Sequence, residues 1–317
     1  MQSTEKPLVS IVIPVYNGSN FMREAIDSAL SQTYSNCEIL VINDGSNDGG
    51  QTEEIAKSYG YKIRYFSKEN GGVSSALNMG IQNMRGDFFC WLSHDDVYLP
   101  QKVEAQVDDL LRFTDKRILS LCGYSLANES LQTLKRQPKS TLRSNQVLSG
   151  EETLELLFRE DTFNGCALLI PKTAFDLCGG FDVRLRFNQD AFMWYKIFLF
   201  GFSLTYTSYR GVMQRTHGAQ LTQTGQATFH SDCMYMSGYM IPRLVQAGLQ
   251  SKRLLFWYMV YNAKHNHEVI VNACLQSGEK DGLFGPKDVM AAWAVLAYGK
   301  VKPLISRVYY FAVKGKR

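Results

Sequence analysis

Short apolar runs alternate with polar turns and helix-period stretches through the first third of the chain. Val9-Ser10-Ile11-Val12-Ile13-Pro14 is a β-branched run closed by proline, the pattern of a buried strand. The polar turn Tyr16-Asn17-Gly18-Ser19-Asn20 follows. Phe21, Ala25, Ile26, Ala29 and Leu30 then recur at helical spacing, with Ser19 or Asn20 placed to cap the helix. The same cycle predicts strands at 38–42, 62–66 and 88–92, and helices ending near Tyr59 and spanning Ser74 to Asn83. Four repeats of strand and helix predict an α/β fold with a mostly parallel sheet flanked by helices.

In such sheets ligands bind past the C-terminal strand ends. The polar groups at Tyr16, Asp44 and Asp95 all follow strand ends, so three strands aim polar side chains at one rim. The middle is less regular. Residues 130–149 read as polar loop, 151–158 as helix, 166–170 as strand and 188–200 as helix. Beyond about His230 the strand pattern stops and long apolar-periodic stretches predict helices. The expected organisation is a catalytic domain over 1–229 and a helical region over 230–317.

Composition narrows the function classes. Of 317 residues, 45% are hydrophobic and 20% charged, an ordinary globular balance. A net charge of +4 is too small to point to nucleic acid. The charge is uneven, because from Lys252 onward there are 11 Lys/Arg against 4 Asp/Glu. None of the seven cysteines form a CxxC pair, and most sit among apolar neighbours, which predicts buried thiols in a reducing compartment. The polar stretch Met1 to Pro7 gives no signal-peptide pattern, and no apolar run is long enough for a membrane-spanning helix. A cytoplasmic location is expected, with any membrane contact peripheral and at the inner face.

Several residues could carry chemistry, and each has a plainer reading. Asp95 and Asp96 are adjacent carboxylates that a hard divalent ion would reconcile, or one of them caps the next helix. Asp44 could accept from a base or ribose, or could close an Asx turn. Asp190 could act as a general base, or could sit in a helical first turn for the dipole. Trp194 reads as core or as a platform for a sugar ring. His217 could touch metal or phosphate, or be a surface loop residue. His265 and His267, two apart, would diverge on a helix and are discounted as a metal pair. Neither GxxxxGK[ST] nor GxGxxG occurs, which removes the main support for kinase and dehydrogenase readings.

Together these segments resemble the family-2 glycosyltransferases of the GT-A fold, over roughly residues 8 to 225. The matching strings are Val9 to Asn17, Ser31-Gln32-Thr33-Tyr34, Glu38 to Asp48, and Asn70-Gly71-Gly72-Val73-Ser74 with Ala76 and Asn78. Asp95-Asp96 before Val97-Tyr98-Leu99-Pro100, and Gly179-Gly180-Phe181-Asp182 ahead of Asp190, complete the set. The resemblance implies a metal-dependent hexosyltransferase with Asp190 as catalytic base. It implies Pro14, Tyr16, Asn17, Asp44, Asn70, Asn78, His94 and Asp95 at the nucleotide-sugar, and Asp95 with His217 at Mn²⁺ or Mg²⁺. Two positions depart from the family pattern. Ser93 stands where the first carboxylate of Asp-x-Asp-Asp is common, and Gln189 stands where Glu often precedes the base.

The implied reaction is an inverting, non-processive transfer from a nucleotide-sugar, UDP by resemblance, to a hydroxyl of a glycan or lipid-linked acceptor in cell-surface polysaccharide synthesis. The Gln-x-x-Arg-Trp motif of processive synthases is absent. The alternative is a non-catalytic relative that binds nucleotide or glycan, or acts as a scaffold. A sugar nucleotidyltransferase would need a glycine-rich basic loop, and the loop after Ile13 has one glycine and no lysine. In the tail, Val301, Leu304, Ile305, Val308 and Ala312 share one helical face among Lys302, Arg307, Lys314, Lys316 and Arg317. That pattern predicts a basic amphipathic helix for an anionic membrane surface, for its own domain or for a second copy in a homo-oligomer.

Overall fold

The computed structural model describes residues 6–160, 163–218 and 226–291, together with 293, 294 and 297. Nine strands form one sheet in the order β3-β2-β1-β4-β8-β6-β9-β5, with β7 against β9. The expected strands appear as β1 (Val9–Val15), β2 (Cys37–Asn43), β3 (Arg64–Ser67) and β4 (Phe88–Trp91). Every residue of β1 is buried because neighbouring strands pair with it on both sides and helices cover it.

The helices between them are α1 (Met22–Leu30), α2 (Gln51–Ser58) and α3 (Val73–Asn83). α1 buries Met22, Ala25, Ile26 and Ala29, the face the periodicity marked. Its expected cap is not made. Phe21 occupies the N-cap without a side-chain bond, and the Gly18 carbonyl accepts from the amides of Phe21 and Met22. α3 lies so close to β1 that a Cβ on Gly80 would stand 2.3 Å from Val12 Cγ1.

The second half of the sheet departs from the repeat. β5 (Val97–Tyr98), α4 (Lys102–Leu110), β6 (Ile118–Ala127), β7 (Val147–Leu148), α6 (Lys172–Cys178) and β9 (Ser203–Arg215) were not legible in the pattern. β8 (Leu168–Pro171) runs antiparallel between β4 and β6. Antiparallel pairings involve two residue pairs each, so most of the ladder is parallel. β6 and β9 pair in parallel over their whole lengths, with register shifts at Cys122/Gly123 and Gly123/Tyr124. Bulges of this kind flip which face a side chain takes, which erases a period of two.

Two compact units divide the chain. One runs to Gly150 and resumes at Phe163; the other takes residues 151–162 and everything from Gln226 onward. α5 (Gly150–Glu160) thus falls almost wholly in the helical unit, a membership that a cut after 229 did not include. Within that unit are α8 (Gln226–Val245), α9 (Ser251–Lys264) and α10 (Glu268–Lys280). Phe158 of α5 meets Tyr258 of α9 edge-on, and Glu155 pairs with Arg253 at 2.5 Å. α7 (Gln189–Leu199) belongs to the sheet unit. Among the described residues no helix is long and apolar enough to cross a membrane. The tail residues expected to form an amphipathic helix lie outside the described residues.

Candidate functional site

The rim is made where β1, β2 and β4 end. Val12 already accepts from Leu92 just beyond β4, so the nitrogen of Pro14 faces the side where β4 has stopped. A proline costs no ladder bond there. Pro14 itself is buried, whereas Tyr16, two residues on, is 44% exposed. Asn17 is in the left-handed region, with φ 50°. Its amide donates to Ser46 Oγ at 2.9 Å, and its side chain exchanges two hydrogen bonds of 2.8 Å with Asn47. Asn17 therefore ties the β1 and β2 loops together.

Asp44 is buried, and its carboxylate gathers the loop ahead of α3. Oδ1 accepts from Lys68 Nζ at 2.7 Å and Gly71 N at 3.0 Å; Oδ2 accepts from Gly72 N at 2.7 Å. A carboxylate has about four acceptor positions, so one on Oδ2 remains for a ligand. Gly45, with φ +71°, lets this happen, since a Cβ there would stand 2.5 Å from Asn70 N. Asn70 is exposed beside the clasp. Lys68 was not anticipated. Its only sequence signal is a lysine two residues ahead of Asn70-Gly71-Gly72.

The β4 loop is held from the far end of the sheet. Asp95 Oδ2 lies 2.9 Å from His217 Nε2, across 122 positions of sequence. Arg215, 1% exposed, donates through Nε to the Asp95 carbonyl at 2.7 Å and through its amide to Asp96 Oδ1 at 2.9 Å. The same guanidinium reaches the Glu129 carbonyl and Glu24 of α1, and lies over the Phe21 ring. Phe21 in turn leans on His217, with centroids 5.2 Å apart.

Burial, then the Asp95 charge, pushes the Asp96 carboxyl up to about 8. Burial thus disfavours the anionic form of Asp96. Burial also lowers the pKa of His94, whose ring packs against Gly18; nearby Asp95 opposes the shift and His217 adds to it. Ser93, at the position of the missing carboxylate, faces the Cys166 thiol at 3.4 Å.

Among the described residues no group of three or more His, Cys, Asp or Glu is arranged to hold a metal ion. Two donors nevertheless suit a hard octahedral ion, which takes one or two protein ligands and completes its shell with phosphate oxygens and water. Adjacent ligands on bonds of about 2.1 Å stand about 3.0 Å apart, close to the Asp95–His217 separation of 2.9 Å.

Asp190 lies in the first turn of α7, half-buried, with Oδ1 accepting from the Ala191 amide at 2.7 Å. Aromatic packing sets the helix against the rim, since Phe181 meets both Trp91, the last residue of β4, and Trp194 edge-on. Trp194 is fully buried, so it is core and offers no face to a sugar. Arg186, in the loop leading to α7, lies beside Gly72. Asn78, which the resemblance puts at the nucleotide-sugar, accepts from Phe181 N and donates to Phe181 O, both at 2.8 Å, which fixes the α7 loop to α3.

Comparisons with known proteins agree with this geometry. Residues 10–159 match the model of glycosyl transferase family 2. An uncharacterized glycosyltransferase of Rickettsia typhi is 48% identical over 70% of this chain and 68% of its own length. One of Rickettsia felis is 53% identical over 60% of this chain, but that match spans only 31% of the relative. The Staphylococcus aureus TarS 1-349 structure in complex with UDP-GlcNAc superposes with a TM-score of 0.68 at 15% identity, covering 92% of this chain and 89% of that one. The sheet and its flanking helices are thus a GT-A fold, and by its sequence the chain belongs to glycosyl transferase family 2.

Proposed function

We propose that this chain transfers a single sugar from a UDP-sugar to an acceptor hydroxyl on a glycan or lipid-linked glycan, with inversion at the anomeric carbon. The pairing of Asp95 with His217 carries the reading, because a carboxylate and an imidazole able to meet phosphate or metal come together at the rim that Tyr16 and Asp44 also border. The fold-mate from S. aureus was solved with UDP-GlcNAc, which supports UDP as the nucleotide.

In this mechanism Tyr16 and the remaining acceptor of Asp44 meet the base and ribose. Asp95 and His217 would hold Mn²⁺ or Mg²⁺, whose chemistry here is to neutralise the departing diphosphate. Asp190 takes the acceptor proton as the new C1–O bond forms and the bond to the diphosphate breaks. No covalent intermediate on the chain is needed.

Thermal melts with UDP, GDP, CDP and dTDP, each with and without Mn²⁺, test the donor site. A metal-dependent rise with UDP, lost in Asp95→Ala, is expected because a ligand of the native state stabilises it by mass action. Asp190→Asn should keep that rise and lose transfer by about 10²–10⁴-fold. No rise with any nucleotide would return the chain to a non-catalytic binding or scaffold role, and full turnover in Asp190→Asn would remove the base assignment.

A further inference from the structure

Between Ser130 and Ser149 the chain has no Asp or Glu but carries Lys135, Arg136, Lys139 and Arg143. All four are exposed, and none forms a salt bridge with a described residue. The segment is nonetheless fastened along its length. Leu134 N donates to Leu126 O, and the Gln137 amide closes on both the N–H and the carbonyl of Leu126, each at 2.9 Å. Arg210 of β9 donates to Pro138 O at 3.2 Å. Ser208 N donates to Ser144 Oγ at 3.1 Å, and Asn145 N to Tyr206 O at 3.1 Å.

These anchors step down β9 from the rim, where Ala127 pairs with Arg215, toward Tyr206. The anchors from Leu126, which pairs with Gln214, to Ser208 span six positions of β9, about 20 Å at about 3.3 Å per residue. Its root is at the site, since Arg215 holds the carbonyls of Glu129 and Asp95 together.

We infer that residues 131–143 form a docking track for an anionic glycan chain, the acceptor whose hydroxyl is presented at the rim. This rests on the transferase reading above. Four unpaired cations spread along a segment pinned at several points match a linear polyanion better than a point ligand. Ser140 and Thr141 are exposed between Lys139 and Arg143, and Gln132 and Thr133 are exposed just ahead of Lys135, so the surface around the cations is polar. Membrane docking instead calls for apolar or aromatic side chains that insert beside the charge. Here the segment has no aromatic residue, and Leu131, Leu134 and Leu142 are only partly exposed.

The test uses the full chain and a variant with Lys135, Arg136, Lys139 and Arg143 all changed to Gln. A matched control changes Lys6, Lys62, Arg85 and Lys172 to Gln, four exposed cations at the opposite ends of β1, β3, β4 and β8. Binding is measured to polygalacturonate, to polyphosphate and to phosphatidylglycerol vesicles, alongside the UDP melt. The expected result is polygalacturonate binding that weakens about tenfold or more in the loop variant and not in the control. The UDP shift should be the same in all three proteins. Equal weakening in both variants, no polygalacturonate binding by the wild type, or binding only to polyphosphate or vesicles would each overturn the track. A lost UDP shift in the wild type would strike the transferase reading instead.

Discussion

Asp44 and Asp95 follow strands on either side of β1 and face the same rim, yet they are bonded in opposite ways. Asp44 is surrounded by partners from its own neighbourhood, Lys68, Gly71 and Gly72, and three of its acceptor positions are filled. Asp95 meets one side-chain partner, His217, from the far end of the sheet unit, and its Oδ1 accepts from no described residue. A carboxylate whose hydrogen bonds are satisfied locally holds a loop in shape. One held at a single oxygen keeps its other oxygen available for a ligand. The rim thus separates shaping from chemistry between two residues that look alike in sequence.

Substitutions should pull the two roles apart. The largest effect is expected on turnover, where Asp95→Asn should cost about 10²-fold or more while the melting temperature moves by no more than about 2 °C. A fall of 10 °C would mean that Asp95 shapes the loop as Asp44 does. Next, Asp44→Ala leaves the Lys68 ammonium and two amides without their acceptor, a loss of about 3 kcal/mol, or about 6–12 °C in melting temperature. An unshifted melt would show that the clasp is replaceable by water. Gly45→Ala should destabilise by about 1–3 kcal/mol, from its positive φ and the approach of Asn70, with UDP affinity falling in parallel.

The smallest expected effect lies in the other unit and keeps the rim comparison clean. His267 is buried, accepts no charge readily and has its pKa lowered to about 4 by burial, then by His230 and His265. Its Nδ1 lies 3.0 Å from Asn262 Oδ1, and Phe229 packs near its ring. The unfolded chain binds this proton near 6.5 and the folded chain near 4, so stability is lost as pH falls through that window. Protection factors for amide exchange in α9 and α10, taken against the intrinsic rate at each pH, should fall from pH 6.5 toward 4, and less so in His267→Gln. An equal fall in both proteins would assign the acid sensitivity elsewhere.

The legible half of the molecule is the one built from local repeats. β1 to β4 announce themselves because each apolar run is long enough to be buried and ends in turn residues, and Asp44 and Asp95 are found by standing at those ends. β6 and β9 are hidden for two reasons. Bulges around Gly123 break the alternation, and β9 mixes Thr205, Ser208 and Arg210 into a strand whose burial depends on what pairs with it. On a helix His265 and His267 would diverge. They flank Asn266, at φ 60°, between α9 and α10, so their rings stack at 6.0 Å. Arg215 was invisible as a hub because its partners Glu24, Asp95 and Glu129 are 191, 120 and 86 positions away, and no local pattern reports such distances.

That reach of Arg215 bears on how the chain is born. Domains fold as units while synthesis proceeds from the N-terminus. Every partner of the Asp44 carboxylate lies within 28 positions of it in the chain. The Asp95 loop instead waits for more than a hundred further residues before Arg215 and His217 arrive to set it. A nascent or truncated chain ending before β9 therefore lacks the partner of β6 and leaves Asp95 without its anchor. Completion of translation through residue 217 is in effect the last step in arming the site.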